Sequence, residues 1–306
     1  MTSTLAPVRF DIPRTALGRW LHGGRRLVAA PDFASFAGDD WALRIMDDVS
    51  ATTLHAKQGR TISHWSLAKA DGRILNLFLK RHYVLPRWQG LLAALLPRRT
   101  FSPGLAEWEH LCWARDHGLP VARPVAAGEF LGPWGKLQSF LAVEELTGML
   151  PLHEAIPHAL AKLPPEAFAR WKHGLVAELA RLARELHRQS TYHKDLYLCH
   201  FYLPRADCEA VPPSFKGRTV MIDFHRLARH RLTRLWFQVK DLAQLLFSTD
   251  GVPGLTARDR LRFWKLYRAG DWKPAAPPRS WVRTAVARKW KLYHRHNQKL
   301  QRERTP

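Results

Sequence analysis

Between Tyr192 and Phe201 the chain reads YHKDLYLCHF, with two histidines, a lysine, an aspartate and a cysteine set among apolar residues. Three chemistries suit those residue types. A zinc site would use His193, Asp195 and His200, but their spacing fits none of the common ligand patterns, whose helical pairs are tighter. A thiol nucleophile would use Cys199 with a neighbouring histidine as its base. Cys199, however, keeps the apolar phase of Leu196, Leu198 and Phe201, which favours a buried, inert thiol. The third chemistry is phosphoryl transfer. There, one carboxylate orients a hydroxyl nucleophile and another holds a metal ion that bridges phosphates.

The spacing supports the third. His-Lys-Asp-Leu is followed by three residues and His200, and a strand-like run, RTVMIDF, then leads into Asp223-Phe224-His225. This order resembles the kinase pattern H-R-D-L-x-x-x-N followed by D-F-G. Asp195 falls on the catalytic aspartate and Asp223 on the magnesium-binding aspartate. Lys194 replaces the arginine, His200 the asparagine and His225 the glycine. A non-glycine at 225 restricts the backbone there, so an on/off flip of that turn is not expected. The same pattern requires a lysine on the third strand of a β-rich lobe and a glutamate on the helix that follows. Lys80 ends the apolar run LNLFLK, and Glu107 opens EWEHLCWARDHG. Glu109, two residues on, points elsewhere on a helix and is the weaker candidate.

The blocks KDLYLCHFYL, MIDFHR and KDLAQLLFS, with an EW-containing helix that ends in GLPV, resemble the lipopolysaccharide core kinase family, the Kdo and heptose kinases. The resemblance runs from about Thr52 to Asp250. It implies an α+β, protein-kinase-like two-lobed fold and ATP-dependent phosphorylation of an inner-core sugar hydroxyl, on heptose or Kdo. ATP and Mg²⁺ are the implied cofactors. Lys80, Glu107 and Glu144 are implied in ATP binding, Asp195 and His200 in catalysis, and Asp223 and His200 in metal binding. His193 and Asp241 are implied as structural support. Magnesium prefers oxygen ligands. For His200, a hydrogen bond to Asp195 or to a phosphate, or simple bracing of the loop, therefore stays open beside metal binding. The chain has no G-x-G-x-x-G, only the single glycine of AKQGRTIS, and no A-P-E segment. Both absences argue against a peptide-docking protein kinase.

These residues need elements to position them. TISHWSLA, the turn signal Asp71-Gly72 and RILNLFLKRHY read as a hairpin that carries Lys80. In PGLAEWEHLCWARDHG, apolar Leu105, Trp108, Leu111 and Cys112 recur at helical spacing. Phe168, Trp171, Leu175, Leu179, Leu182 and Leu186 predict an amphipathic helix, opened by Pro164-Pro165, that runs into the Tyr192 stretch. LWFQVKDLAQLLFS is helical and carries Asp241. The expected organisation is an extension over 1–40, a β-rich N-lobe over 41–146 and a helical C-lobe over 147–306. The C-lobe ends in a basic helix striped by Val282, Val286, Trp290 and Tyr293.

Composition bounds the alternatives. Lys and Arg number 48 against 26 Asp and Glu, a net charge of +22, in a chain that is 46% hydrophobic. Such a field attracts phosphate-rich partners. The three cysteines form no CxxC pair, and with no signal-peptide pattern at the N-terminus they suggest a cytoplasmic setting. LPRWQGLLAALLPRR combines leucines, Trp88 and arginines in the manner of an interfacial segment. Peripheral attachment to the anionic inner membrane, with lipopolysaccharide core or a lipid-linked glycan precursor as acceptor, follows as an expectation. The competing readings are a small-molecule kinase of the aminoglycoside phosphotransferase type, and a non-catalytic basic membrane- or nucleic-acid-binding protein on a kinase-like fold. Nucleic acid is not the expected partner of the kinase reading.

Overall fold

The computed structural model describes residues 9–47, 52–57, 59–69 and 71–304. The chain divides into two units, 1–116 with 122–145, and 117–121 with 146–306.

The first unit contains, in order, β1 (Arg9–Asp11), α1 (Ala16–His22), β2 (Gly24–Ala29), α2 (Ala34–Ala37), α3 (Trp41–Arg44), β3 (Thr52–Lys57), β4 (Arg60–Ala68), β5 (Ile74–His82), α4 (Arg87–Leu95), α5 (Pro103–Asp116), β6 (Pro124–Leu131) and β7 (Leu137–Glu144). The strands form one antiparallel sheet in the order β1-β2-β6-β7-β5-β4-β3. The predicted hairpin is β4–β5, with Lys80 opposite Ile62 on one side and Leu141 on the other. Alternate β5 residues Leu75, Leu77 and Leu79 go into a core with Phe33, Ile45, Trp65 and Phe140. The period-2 geometry of a strand then turns Lys80 to the opposite face.

Residues 9–40 depart from the expected extension, whose first eight residues lie outside the described ones. Strands β1 and β2 join the sheet through β6. The GGRR stretch reads as a basic patch, yet Arg26 is buried and pairs with Glu129, which is buried too. A charged strand hides its own burial when its partner lies a hundred residues away in sequence.

Helix α5 lies on the sheet because its apolar stripe, Leu105, Trp108 and Leu111, is buried. Gly104 makes the approach close: a Cβ there would collide with the Phe140 carbonyl oxygen. That contact sets the depth at which Glu107 enters the unit.

The second unit contains β8 (Met149–Pro151), α6 (Leu152–Lys162), α7 (Pro165–Arg188), β9 (Thr191–Tyr192), β10 (Phe201–Pro204), α8 (Ala206–Glu209), β11 (Val220–Met221), β12 (Ala228–Arg229), α9 (Arg234–Ser248), α10 (Ala257–Ala269) and α11 (Trp281–Arg304). Small antiparallel pairings, β9–β12 and β8–β10–β11, frame the two aspartate loops. Helix α7 opens at Pro165 and buries Phe168, Trp171, Leu175, Leu179, Leu182 and Leu186, the predicted stripe. Helix α11 buries Val282 and Val286 and leaves Arg283, Arg288, Lys291 and Arg295 exposed. Asp250 anchors it, accepting from Trp290 Nε1 at 2.6 Å. None of the described helices is long and apolar enough to cross a membrane.

Candidate active site

The first unit contributes a lysine. Lys80 Nζ lies 2.6 Å from Glu107 Oε1, with the two side chains only 13% and 5% exposed. Burial at that level makes the pair's geometry exacting, because each charge has lost most of its water. Glu109 sits on a different face of α5 and accepts from Thr100 Oγ1 instead. Glu144, at the end of β7, spends its carboxylate on Arg123, whose Nε donates to Oε2 at 2.6 Å. Arg123 in turn reaches Asp32 at 3.1 Å. The structure thus places the Glu144 carboxylate in an ion-pair chain with Arg123 and Asp32.

The second unit contributes two aspartates on loops that α9 holds in place. Asp241, fully buried, accepts from the backbone N–H of His193 and of Lys194, each at 2.8 Å. It also faces His187 Nε2 at 3.3 Å, and His187 Nδ1 meets the Tyr267 hydroxyl at 2.6 Å. Gln238 donates to the same hydroxyl. One helical turn on, Gln244 accepts from the Leu196 N–H and donates to the Tyr197 hydroxyl, and Ser248 accepts from the Leu198 N–H. Lys194 has φ 69°, a left-handed conformation that costs a lysine free energy and is kept by these bonds. The loop is pinned by its backbone, without use of the Asp195 side chain, which is 14% exposed.

Asp195 meets one guanidinium: Arg226 Nη1 lies 3.0 and 3.1 Å from its two oxygens. Arg226 was not singled out from the sequence, although it ends the MIDFHR block; the pairing spans 31 residues and leaves no local pattern. Asp223 occupies the left-handed region at φ 64° and accepts from His225 Nδ1 at 2.6 Å.

The two histidines differ. His193 is wholly enclosed; desolvation pushes its pKa down, and the proton on Nε2 goes to the Ile222 carbonyl oxygen at 3.0 Å. It braces the Asp195 loop against the Asp223 strand. His200 gives its Nδ1 proton to the Asp195 carbonyl oxygen at 2.7 Å, and its Nε2 faces Asp223 Oδ2 at 3.7 Å. Burial works to lower the His200 pKa, but hydrogen bonds to Cys199 and the Asp195 carbonyl, with the Asp223 charge, outweigh it and leave the pKa raised. A backbone carbonyl on one ring nitrogen fixes the tautomer that presents the other to a ligand, as metal-bound histidines do. His200 and Asp223 thus bring one ring nitrogen and one carboxylate within 3.7 Å of each other. No group of three or more His, Cys, Asp or Glu side chains fit to hold a metal occurs among the described residues. Of His200 and Asp223, the carboxylate is the donor type that suits an ion such as Mg²⁺, which prefers oxygen and keeps waters.

A buried lysine–glutamate pair on a β-sheet unit, with an aspartate loop tethered by a helix in a second unit, defines a phosphotransferase of the protein-kinase-like class. The model of the "Lipopolysaccharide kinase (Kdo/WaaP) family" matches residues 57–267, and the chain belongs to that family. It is 34% identical over 200 residues to the "Lipopolysaccharide core heptose(I) kinase WaaP" of Pseudomonas aeruginosa, a match spanning 65% of this chain and 71% of that one. It is 35% identical over 172 residues to the Escherichia coli protein of the same description, spanning 55% and 60% of the two chains. Among solved structures, one titled "WaaP in complex with acyl carrier protein" is similar with a TM-score of 0.62 and 26% identity, over 87% of this chain and 98% of that one.

Proposed function

We propose that this chain transfers the γ-phosphate of ATP to a heptose hydroxyl of the lipopolysaccharide inner core. The observation that carries the kinase reading is the buried Lys80–Glu107 pair at 2.6 Å. The heptose acceptor, rather than Kdo, rests on the relatives named heptose(I) kinases. Lys80 would hold the α- and β-phosphates, with Glu107 keeping its ammonium oriented. Asp223 and His200 would hold Mg²⁺, which when bound neutralises charge on the phosphate oxygens. Asp195 would accept a hydrogen bond from the acceptor hydroxyl and hold it in line, since placement contributes more than basicity in phosphoryl transfer. Arg226 balances the Asp195 charge and fixes its carboxylate plane. Glu144 would act through the β7 backbone, its carboxylate being held by Arg123.

The acceptor is lipid-borne, so the enzyme works as a peripheral protein on the cytoplasmic, anionic face of the inner membrane. An acyl carrier protein is a second partner we assign. The support is a cavity of about 390 Å³ in the C-terminal unit, with an almost wholly apolar lining that includes Ile156, Leu175, Leu179, Leu242, Leu246 and Val286. Its lining suits an alkyl chain. Native mass spectrometry of the purified protein mixed with acylated and unacylated carrier protein tests this; retention of only the acylated form is the expected result.

Transfer of labelled γ-phosphate from ATP to dephosphorylated core, with Mg²⁺, tests the main reading. Label on heptose that vanishes in Asp223→Ala is expected. Label on Kdo would move the acceptor, and absence of nucleotide binding would sink the kinase reading.

A further inference from the structure

Two helices of the first unit are packed inside out. In α4 the small residues Gly90, Ala93 and Ala94 face the body and are buried, whereas Trp88, Leu91 and Leu95 are exposed, Trp88 by 58%. In α1 the buried residue is Arg19, whereas Leu17 and Leu21 are exposed, Leu17 by 66%. A water-facing helix normally presents the reverse pattern. The inversion is held by specific bonds. The Arg19 guanidinium donates to the Ala94 carbonyl at 2.5 Å and to the Pro13 and Arg14 carbonyls, which stitches α1 to the end of α4. Gly90 touches the turn at Pro133–Gly135 so closely that a Cβ would strike the Gly135 carbonyl oxygen. In that turn Trp134 adopts φ 59°, ψ 33°, a costly conformation for a bulky residue, and its ring is 56% exposed against the edge of Trp20. The α1, α4 and Trp134 elements pack on one another, so their exposed apolar side chains belong to one surface.

The charge around that surface is mainly positive, with Asp11, ion-paired to Arg25 at 3.0 Å, as an exception. Residues 12–31, 83–106 and 130–137 contain no Asp or Glu. Arg14, Arg87, Arg98, Arg99 and Lys136 are all exposed. Arg26 clamps the segment after α4 by donating to the carbonyls of Pro97 and Arg99, at 2.6 and 2.9 Å. A preformed surface of tryptophan and leucine inside a ring of cations complements an anionic bilayer, where indoles settle at the headgroup level and arginines meet lipid phosphates. A protein partner would have to supply both a large apolar face and an acidic rim.

The geometry points to the α1–α4–Trp134 surface as the face that docks the enzyme on anionic lipid. This rests on the peripheral placement proposed above and assigns it to particular residues; the basic helix α11 is thereby excluded as the main contact.

Flotation with vesicles of phosphatidylglycerol and phosphatidylethanolamine, against vesicles of phosphatidylcholine, is the test, with melting temperatures as the check on folding. The native protein is expected to float with the anionic vesicles only. Arg98→Gln with Arg99→Gln should weaken binding roughly thirtyfold, at about fivefold per cation removed. Trp88→Ser with Leu91→Ser should abolish flotation, and the single change Trp134→Ser should weaken it. Arg288→Glu with Arg295→Glu on α11 should leave flotation within about twofold. The inference is overturned if the α11 pair abolishes flotation while the α4 variants retain it. It is also overturned if the α4 changes merely convert a dimer into a monomer in light scattering. Failure of the native protein to float overturns the peripheral placement together with this inference. Phosphorylation of soluble, deacylated core needs no bilayer and should run at the native rate in all these variants. Its absence in the native protein would count against the kinase reading and leave the docking assignment standing.

Discussion

The lysine half and the aspartate half of the proposed catalytic apparatus are built on different plans. Lys80 is positioned by a short ion pair with Glu107, buried by the approach of α5 to β7. The Asp195 loop is positioned through its backbone, with N–H groups of residues 193, 194, 196 and 198 donating to Asp241, Gln244 and Ser248. One plan rests on two charges that need each other. The other spreads the work over several neutral bonds and one carboxylate, so that the backbone of the loop is held without the Asp195 side chain, the group we assign to the chemistry.

The comparison can be broken at the ion pair, where the largest effect is expected. Lys80→Met strands the buried Glu107 carboxylate and should cost about 3–5 kcal/mol of stability, besides removing phosphate transfer. The double variant Lys80→Met, Glu107→Leu should recover most of that stability in urea unfolding while staying inactive. Recovery would show that the pair serves chemistry rather than folding, and no recovery would show the reverse. Asp241→Ala should cost a comparable amount, about 1–3 kcal/mol for each of the two N–H groups left without an acceptor, partly relieved by water. It should lower kcat more than it changes the KM for ATP, because the lysine half is untouched. The smallest effect concerns access. Burial pushes the Cys112 thiol of α5 up to about 11 and that of Cys208 up to about 12. At pH 8 roughly one thousandth of Cys112 is thiolate, so iodoacetamide should first label Cys199, which is exposed and not buried as its apolar phase suggests, read by peptide mass spectrometry. Equal labelling of Cys112 would mean that α5 opens readily, contrary to the tight packing at Gly104.

What could be read from the chain beforehand follows the range of the interactions involved. Lys80 and Glu107 were legible because each sits at a fixed phase of a locally patterned element, an apolar strand and an apolar-striped helix. Asp195, Asp223 and Asp241 were legible through short blocks of ordered residue types. Arg226 and Gln244 lie inside those same blocks, yet their roles depend on partners 31 and 49 residues away and had no local signature. Helix α4 was legible as a leucine-rich segment, but which of its faces is buried was not, because alanines on the inner face carry too little hydrophobicity to register. The strands of residues 9–29 were hidden for the opposite reason: Arg25 and Arg26 make β2 look like solvated surface, whereas Glu129 and two carbonyls enclose Arg26.

The chain of groups Gln238–Tyr267–His187–Asp241 joins α7, α9 and α10 and ends at the backbone of the Asp195 loop. Loss of the phenol at 267 alone would deprive both His187 and Gln238 of a shared partner inside a closed core. Tolerated substitutions at these four positions should accordingly be inherited together among relatives, as one unit of covariation whose members never touch substrate.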